Sequence, residues 1–373
     1  MPSFDNSHSL ISIRRISRRA SLAAKKLNRT VSLQRRSLTS NQALQSPRLP
    51  SEILDHIVEL ALEQSHIFSV VASFSLASSD LRQIAFRRFF RIVRVKTNIA
   101  WNDIYRVLES IHARTGCREV TPYLWVREMS TLAMSIKHLD PFQNLRSLSI
   151  DFNHEGLATQ HTYAKLLLNL NTTNRLEMLN LTSLCRIDVP LIKIIAASFP
   201  LLRILHLSCT ERLTPSCCWV CFEEAASILV HSPVPDMFAT SGDLARAFAL
   251  ALKPLNKLTH VHLGIFLSHE RMLAEHINHE MHIDEVQSYG PEGCETCQED
   301  EGLYDLVRSN EREACIILAR SLRMLKSAGW SSFFPVRWAG DAAICFDAGD
   351  QWRATTIHIS RQNGRIKARS KPW

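Results

Sequence analysis

Leu202-Arg203-Ile204-Leu205-His206-Leu207 sets apolar residues three and then two positions apart. The same frame returns in Leu145-Arg146-Ser147-Leu148-Ser149-Ile150, in Leu176-Glu177-Met178-Leu179-Asn180-Leu181 and in Leu258-Thr259-His260-Val261-His262-Leu263. The last three positions of each frame alternate apolar with polar, the period of a half-buried strand. The first leucines are 31, 26 and 56 residues apart, and the longest gap reads as two steps of 28 with one unrecognised repeat inside it. A short lead-in precedes each strand, at 141–144, 173–175, 199–201 and 254–257, and helical patterns lie between them at 163–168 and 189–197. One strand and one helix cannot bury their apolar faces alone, so such units are expected to stack, with parallel strands on one side and helices on the other. The expected fold class is α/β, an irregular solenoid over residues 96–373. A helix at 312–325 and aromatic or β-branched strands at 330–334, 336–338, 344–346 and 356–359 are expected to close the far end of the sheet.

Outward from these repeats, the chain has 373 residues, 46% hydrophobic and 21% charged, which is ample for a core and more than one domain of roughly 100–200 residues needs. Its longest apolar stretch, 189–207, is broken by Pro190, Lys193, Pro200, Arg203 and His206, so no transmembrane segment is expected and the chain reads as soluble. Ten irregularly spaced cysteines and the absence of a signal-peptide core point to reduced thiols inside a cell.

The net charge of +8 is local. Residues 1–48 hold ten basic side chains and one acidic one, leaving 34 basic and 35 acidic over 49–373. A basic groove in the fold is not expected, and neither is a dedicated nucleic-acid site. Residues 1–47 read as a disordered, Ser/Arg-rich tail. Ile13, Ile16, Ala20, Ala23, Leu27 and Val31 recur at helical spacing within it. That pattern fits a solvated or nuclear-targeting arm, an organelle transit peptide, a membrane-surface helix or a calmodulin-like target. Cytoplasm or nucleus is the expected location, with mitochondrial import the alternative. Arg14-Arg15-Ile16-Ser17 and Arg18-Arg19-Ala20-Ser21 have the form of basophilic-kinase sites, where a phosphate would cancel about two charges.

Residues 48–95 form a third region. Leu49-Pro50-Ser51-Glu52-Ile53-Leu54-Asp55-His56-Ile57 opens a helix with proline in its first turn and an acid near the positive end of its dipole. Leu49, Ile53, Ile57, Leu60 and Ala61 make one stripe, widened by Leu54 and Val58, and a second apolar set runs from Val70 to Ala85. With Leu76-Ala77-Ser78-Ser79-Asp80-Leu81-Arg82, this region resembles the F-box. The resemblance implies a three-helix module docking on the Skp-type adaptor of a cullin–RING ubiquitin ligase, with Leu49, Pro50, Ile53, Leu54 and Ile57 facing the adaptor. The strand frames resemble leucine-rich repeats, and the pairing of the two is similar to the large class of fungal F-box proteins.

Among candidate ligand groups, His276, His279 and His282 lie three apart and precede Cys294-Glu295-Thr296-Cys297. His276, His279, Cys294 and Cys297 have the composition of a Cys2His2 structural zinc site, set against unliganded loop thiols; otherwise no cofactor is expected. Cys217, Cys218 and Cys221 read as packing against Trp219 and Phe222. No Gly-rich phosphate loop, nucleophile elbow or His-Glu-x-x-His is present, so no enzymatic activity is expected. The expected function is substrate recognition in an SCF-type ubiquitin ligase. Arg146, Ser147, Ser149, Met178, Asn180, Ile204, His206, His260 and His262 are expected to meet the target protein from outward strand positions, with the histidines read as solvated. The alternative is a non-ligase repeat scaffold or interaction protein whose helical module merely caps the strands, targeted to an organelle or membrane by its basic amphipathic N-terminus.

Overall fold

The computed structural model describes residues 49–115, 121–153, 155–170, 175–209, 233–234, 237–267, 301–332 and 354–370. The chain divides between Arg88 and Phe89 into two compact units. The first holds α1 (Ser51–Gln64), α2 (Ser69–Ala77) and α3 (Ser79–Phe89), the last ending at the boundary. Residues 70–85, read above as one apolar set, are split at Ser78. Its backbone is extended and its hydroxyl accepts the Leu81 N–H at 3.1 Å, which caps α3 with a side chain suited to that role. Val58, Leu62, Val71, Ile84 and Ala85 form the small core. Phe68 and Phe86 pack with ring centroids 5.6 Å apart.

The second unit is mixed α/β. Its described strands are β1 (Ile92–Arg94), β2 (Glu128–Leu132), β3 (Ser147–Asp151), β4 (Met178–Leu184), β5 (Ile204–Cys209), β6 (His260–Phe266), β7 (Ser327–Ser331), β8 (Ala354–Gln362) and β9 (Arg365–Arg369). They form one sheet in chain order, parallel from β1 to β7 and antiparallel over β7–β8–β9. Between them lie α4 (Asn98–Thr115), α5 (Leu157–Leu166), α6 (Val189–Ser198), α7 (Ser241–Leu252) and α8 (Glu301–Ser321), and α5 through α8 pack on one another in sequence. Residues 89–95, assigned above to the helical region, therefore open the sheet unit. No strand separates β5 from β6, since Ile204 pairs with His260, so the repeat expected in the 56-residue gap is absent from the sheet. The closing helix begins at Glu301, well ahead of residue 312.

The repeating frame is longer than the leucines alone suggest. Tyr123/Val126/Met129/Thr131, Phe142/Leu145/Leu148/Ile150, Phe199/Leu202/Leu205/Leu207, Leu255/Leu258/Val261/Leu263 and Leu322/Leu325/Ala328/Trp330 occupy the same four positions, all buried. In each frame the N–H of the second residue bonds the carbonyl of the first, at 3.1–3.4 Å. That tight turn delivers the chain into its strand. One carbonyl then accepts two successive N–H groups of the next strand: Arg91 from Arg127 and Glu128, Arg146 from Glu177 and Met178, Arg203 from Thr259 and His260, Thr259 from Lys326 and Ser327. This device sets the register of the parallel sheet.

Thr131 sits where the other frames carry Ile, Leu or Trp, and its hydroxyl is buried without a hydrogen-bond partner. A stranded hydroxyl costs stability that an isosteric methyl does not. Thr131→Val is expected to stabilise the chain by about 1 kcal/mol, read as a higher urea midpoint at unchanged slope.

At the far end the parallel run gives way to the antiparallel hairpin of β8 and β9. Asn363 and Gly364 lie at φ 51° and 75°, the left-handed pair that a two-residue hairpin turn needs. Arg361 donates to the carbonyls of Ala319, Leu322 and Leu325 at 2.6–2.9 Å, satisfying the C-terminal end of α8. Arg308 on α8 bonds Glu311 at 2.8 Å and also Thr355 on β8, a buried polar tie behind the closing strand. Strands expected at 336–338 and 344–346 lie outside the described residues.

Candidate functional site

Two surfaces concentrate the expected binding residues, one in each unit. On α1, Val58 and Leu62 turn inward, whereas Ile53 is 49% exposed, Ile57 47% and Leu60 48%, and Leu49, two residues ahead of the helix, is 57% exposed. Pro50 is exposed and Leu54 half-buried. Three large apolar side chains along one face of α1, with Leu49 ahead of them, thus stand in solvent, where isolated apolar residues are ordinary but an aligned row is not. The opposite side of α1 is fastened to α3 by charge. Asp55 bonds Arg88 and, at 2.7 Å, Arg87, while Glu59 bonds Arg88 at 2.6 Å. Arg88, with Arg87, holds the Asp55 carboxyl down at about 2, against the opposing effect of burial. The module is therefore tied together on one side while its apolar row stays uncovered.

In the sheet unit, alternate strand residues define the second surface. Leu148, Leu179, Leu205 and Val261 are register partners on the buried side, and one residue later the row Ser149, Asn180, His206, His262, Gly329 crosses five strands on the other. The row is a connected chain of contacts. Asn180 donates from Nδ2 to Ser149 Oγ at 3.3 Å, and its Oδ1 lies 2.8 Å from His206 Nδ1, which places the proton on that nitrogen. The His206 and His262 rings stack at 4.4 Å and 13°. A Cβ on Gly329 would lie 2.5 Å from His262 Nδ1, so the imidazole needs the bare backbone there. In the neighbouring row, His260 Nδ1 lies 2.7 Å from Ser327 Oγ.

These histidines are not the solvated side chains expected. Burial pushes His206 down to about 4 and His262 well below its ordinary 6.5, where the nearby His206 adds to the effect; burial, Lys326 and His358 lower His260. At neutral pH the row is an uncharged ladder of donors and acceptors. Because the unfolded chain takes up these protons near pH 6.5, stability is complete above that value and is withdrawn as the pH falls toward about 4, by on the order of 3 kcal/mol for His206 alone. Asp55 acts lower down: its contribution is complete above the ordinary 3.8 and is lost as the pH falls to about 2. Urea midpoints measured from about pH 7.5 downward are expected to drop first between pH 6.5 and 4, and His206→Asn to flatten that first drop. A midpoint constant across that interval would refute the buried neutral pair.

Arg146 departs from its expected place. It precedes β3 in phase with Leu148 and Ile150 and stands exposed at the strand-entry rim, because consecutive strand residues cannot share a face. Ser149, Asn180, His206 and His262 are brought together as expected. His276, His279, Cys294, Cys297, the cysteines at 217, 218 and 221, and the basic tail all lie outside the described residues. Among the described residues, no group of three His, Cys, Asp or Glu is placed to hold a metal ion, and no helix is long and apolar enough to cross a membrane. No protein-family model and no curated protein matches the chain.

Proposed function

We propose that this chain is the substrate-recognition subunit of an SCF-type cullin–RING ubiquitin ligase. The helical module docks on the Skp-type adaptor, and the sheet unit, read as a degenerate leucine-rich-repeat solenoid, holds a target protein. The observation that carries the reading is the uncovered apolar row of α1. Leu49, Ile53 and Ile57, three residues that the F-box resemblance sets against the adaptor, are large, aligned and exposed. An amphipathic helix laid into a partner groove needs anchors at that spacing. The Ser149–Asn180–His206–His262 ladder suits protein recognition, since a neutral array of donors and acceptors binds by geometry rather than by charge. Such a subunit supplies no reacting group. It raises the effective concentration of a target lysine beside the ubiquitin thioester.

The test is calorimetric titration of the full chain with a Skp-type adaptor. Binding at micromolar strength or better, roughly −8 kcal/mol, supports the ligase role. Absence of binding by a folded chain favours the scaffold alternative, in which the module is only a cap.

A further inference from the structure

The outward rows of the sheet are nearly devoid of fixed charge across their middle. From β4 to β8 they carry Met178, Asn180, Thr182, Ile204, His206, Ser208, His260, His262, Gly264, Ser327, Gly329, Thr356, His358, Ser360 and Gln362, without one Asp, Glu, Lys or Arg. β9 breaks that rule completely. Register pairs His358 with Arg369, Ser360 with Lys367 and Gln362 with Arg365, so three successive outward positions of the last strand are cationic. The inward positions between them are Ile366 and Ala368. Arg365 and Lys367 are exposed and Arg369 is half-buried. Among the described strands, β9 pairs with β8 alone and ends the sheet.

From this placement we propose that β9 is a docking edge for an extended acidic protein segment, which adds as a further strand and sets alternate carboxylates or phosphates opposite Arg365, Lys367 and Arg369. The fit is one of spacing and sign. Alternate residues on a strand are about 6.6–6.8 Å apart, so an extended segment with an acid at every second residue matches the row without adjustment. Opposite charges directly across a strand pair are favourable, and like charges are not. The same feature disfavours a second copy of this chain at this edge, where cation would face cation. A single-stranded nucleic acid is a poorer match, because this face of β8 and β9 offers no Phe, Tyr or Trp on which a base can stack. The proposal stands apart from adaptor docking on α1 and holds for either reading of the chain's function.

The test uses the full chain and a fluorescent peptide of alternating acidic pattern, Thr-Glu-Val-Glu-Thr-Glu-Val-Glu, beside its counterpart with Lys in place of Glu. The acidic peptide is expected to bind at least about tenfold more tightly and to weaken as salt rises. Binding is also expected to slow amide exchange within residues 365–369. Arg365→Glu/Lys367→Glu should reverse the preference, and Arg365→Gln/Lys367→Gln should abolish it. Equal binding of the two peptides, or a preference that survives both double variants, overturns the proposal. So does preference without amide protection, which would mean attraction without strand addition. Tighter, reversal-sensitive binding of an oligothymidylate of equal charge would replace the acidic segment with nucleic acid.

Discussion

If α1 docks on the adaptor as proposed, Ile53→Asp/Ile57→Asp is expected to weaken that binding by at least about 100-fold while leaving the thermal midpoint of the full chain within about 2 °C of wild type. Both halves follow from exposure. Each isoleucine is roughly half exposed in the free chain, so a carboxylate there meets water and loses little. In the proposed complex the same side chains would enter an apolar surface. Fully burying one isoleucine is worth about 1.5–3 kcal/mol, and an unpaired buried carboxylate costs more than that gain. Val58→Asp, one residue from Ile57 but 2% exposed, is the contrast: it places a charge in the module's core and should unfold it. If the double variant melts as early as Val58→Asp, the row is a packing surface of the chain itself. Unchanged affinity in a folded double variant would remove α1 from the interface.

Gly264→Ala is expected to destabilise the sheet unit by about 3 kcal/mol, read as a lower urea midpoint. Gly264 lies opposite Ser208 where β5 and β6 run side by side. A Cβ there would fall 2.6 Å from the Ser208 Cα and 2.7 Å from the Leu207 carbonyl oxygen. Both are backbone atoms of the neighbouring strand, so no rotamer change relieves the overlap. The strands must separate, which strains the hydrogen bonds that hold Leu207 and Leu263 in register. Gly156→Ala supplies the control, because nothing lies within 4 Å of the added methyl, and its effect should remain below about 1 kcal/mol. Equal midpoints for the two variants would show that β5 and β6 can part without penalty, contrary to the register seen here.

The four leucine frames were legible because alternating burial writes itself into neighbouring residues: β3, β4, β5 and β6 fall on them, and the helices at 157–166 and 189–198 overlap their predicted patterns. The frame ending in Met129 and Thr131 escaped notice because a threonine stands in an aliphatic position. The frame ending in Ala328 and Trp330 escaped because Ala replaces Leu where the sheet accepts a smaller side chain. A sequence signal for the closing hairpin was nonetheless present in Asn363-Gly364, whose left-handed preference marks a two-residue turn.

By itself, then, the chain's order of residues determined a parallel strand-and-helix repeat and an apolar helix opening just after Leu49-Pro50, since both depend on periodicities within ten or so neighbours. Tertiary structure decided what those elements present. That Ile53 and Ile57 stay exposed while Val58 and Leu62 are buried depends on where α2 and α3 pack, and on Asp55 and Glu59 gripping arginines about thirty residues away. That His206 and His262 stack as neutral rings depends on pairing parallel strands from positions 56 residues apart in sequence, and on the missing side chain at Gly329. That Arg365 and Lys367 lie on the strand that ends the described sheet depends on β8 pairing with β7. Contacts of this range obey the geometry of the assembled sheet, and no local pattern of side chains encodes them.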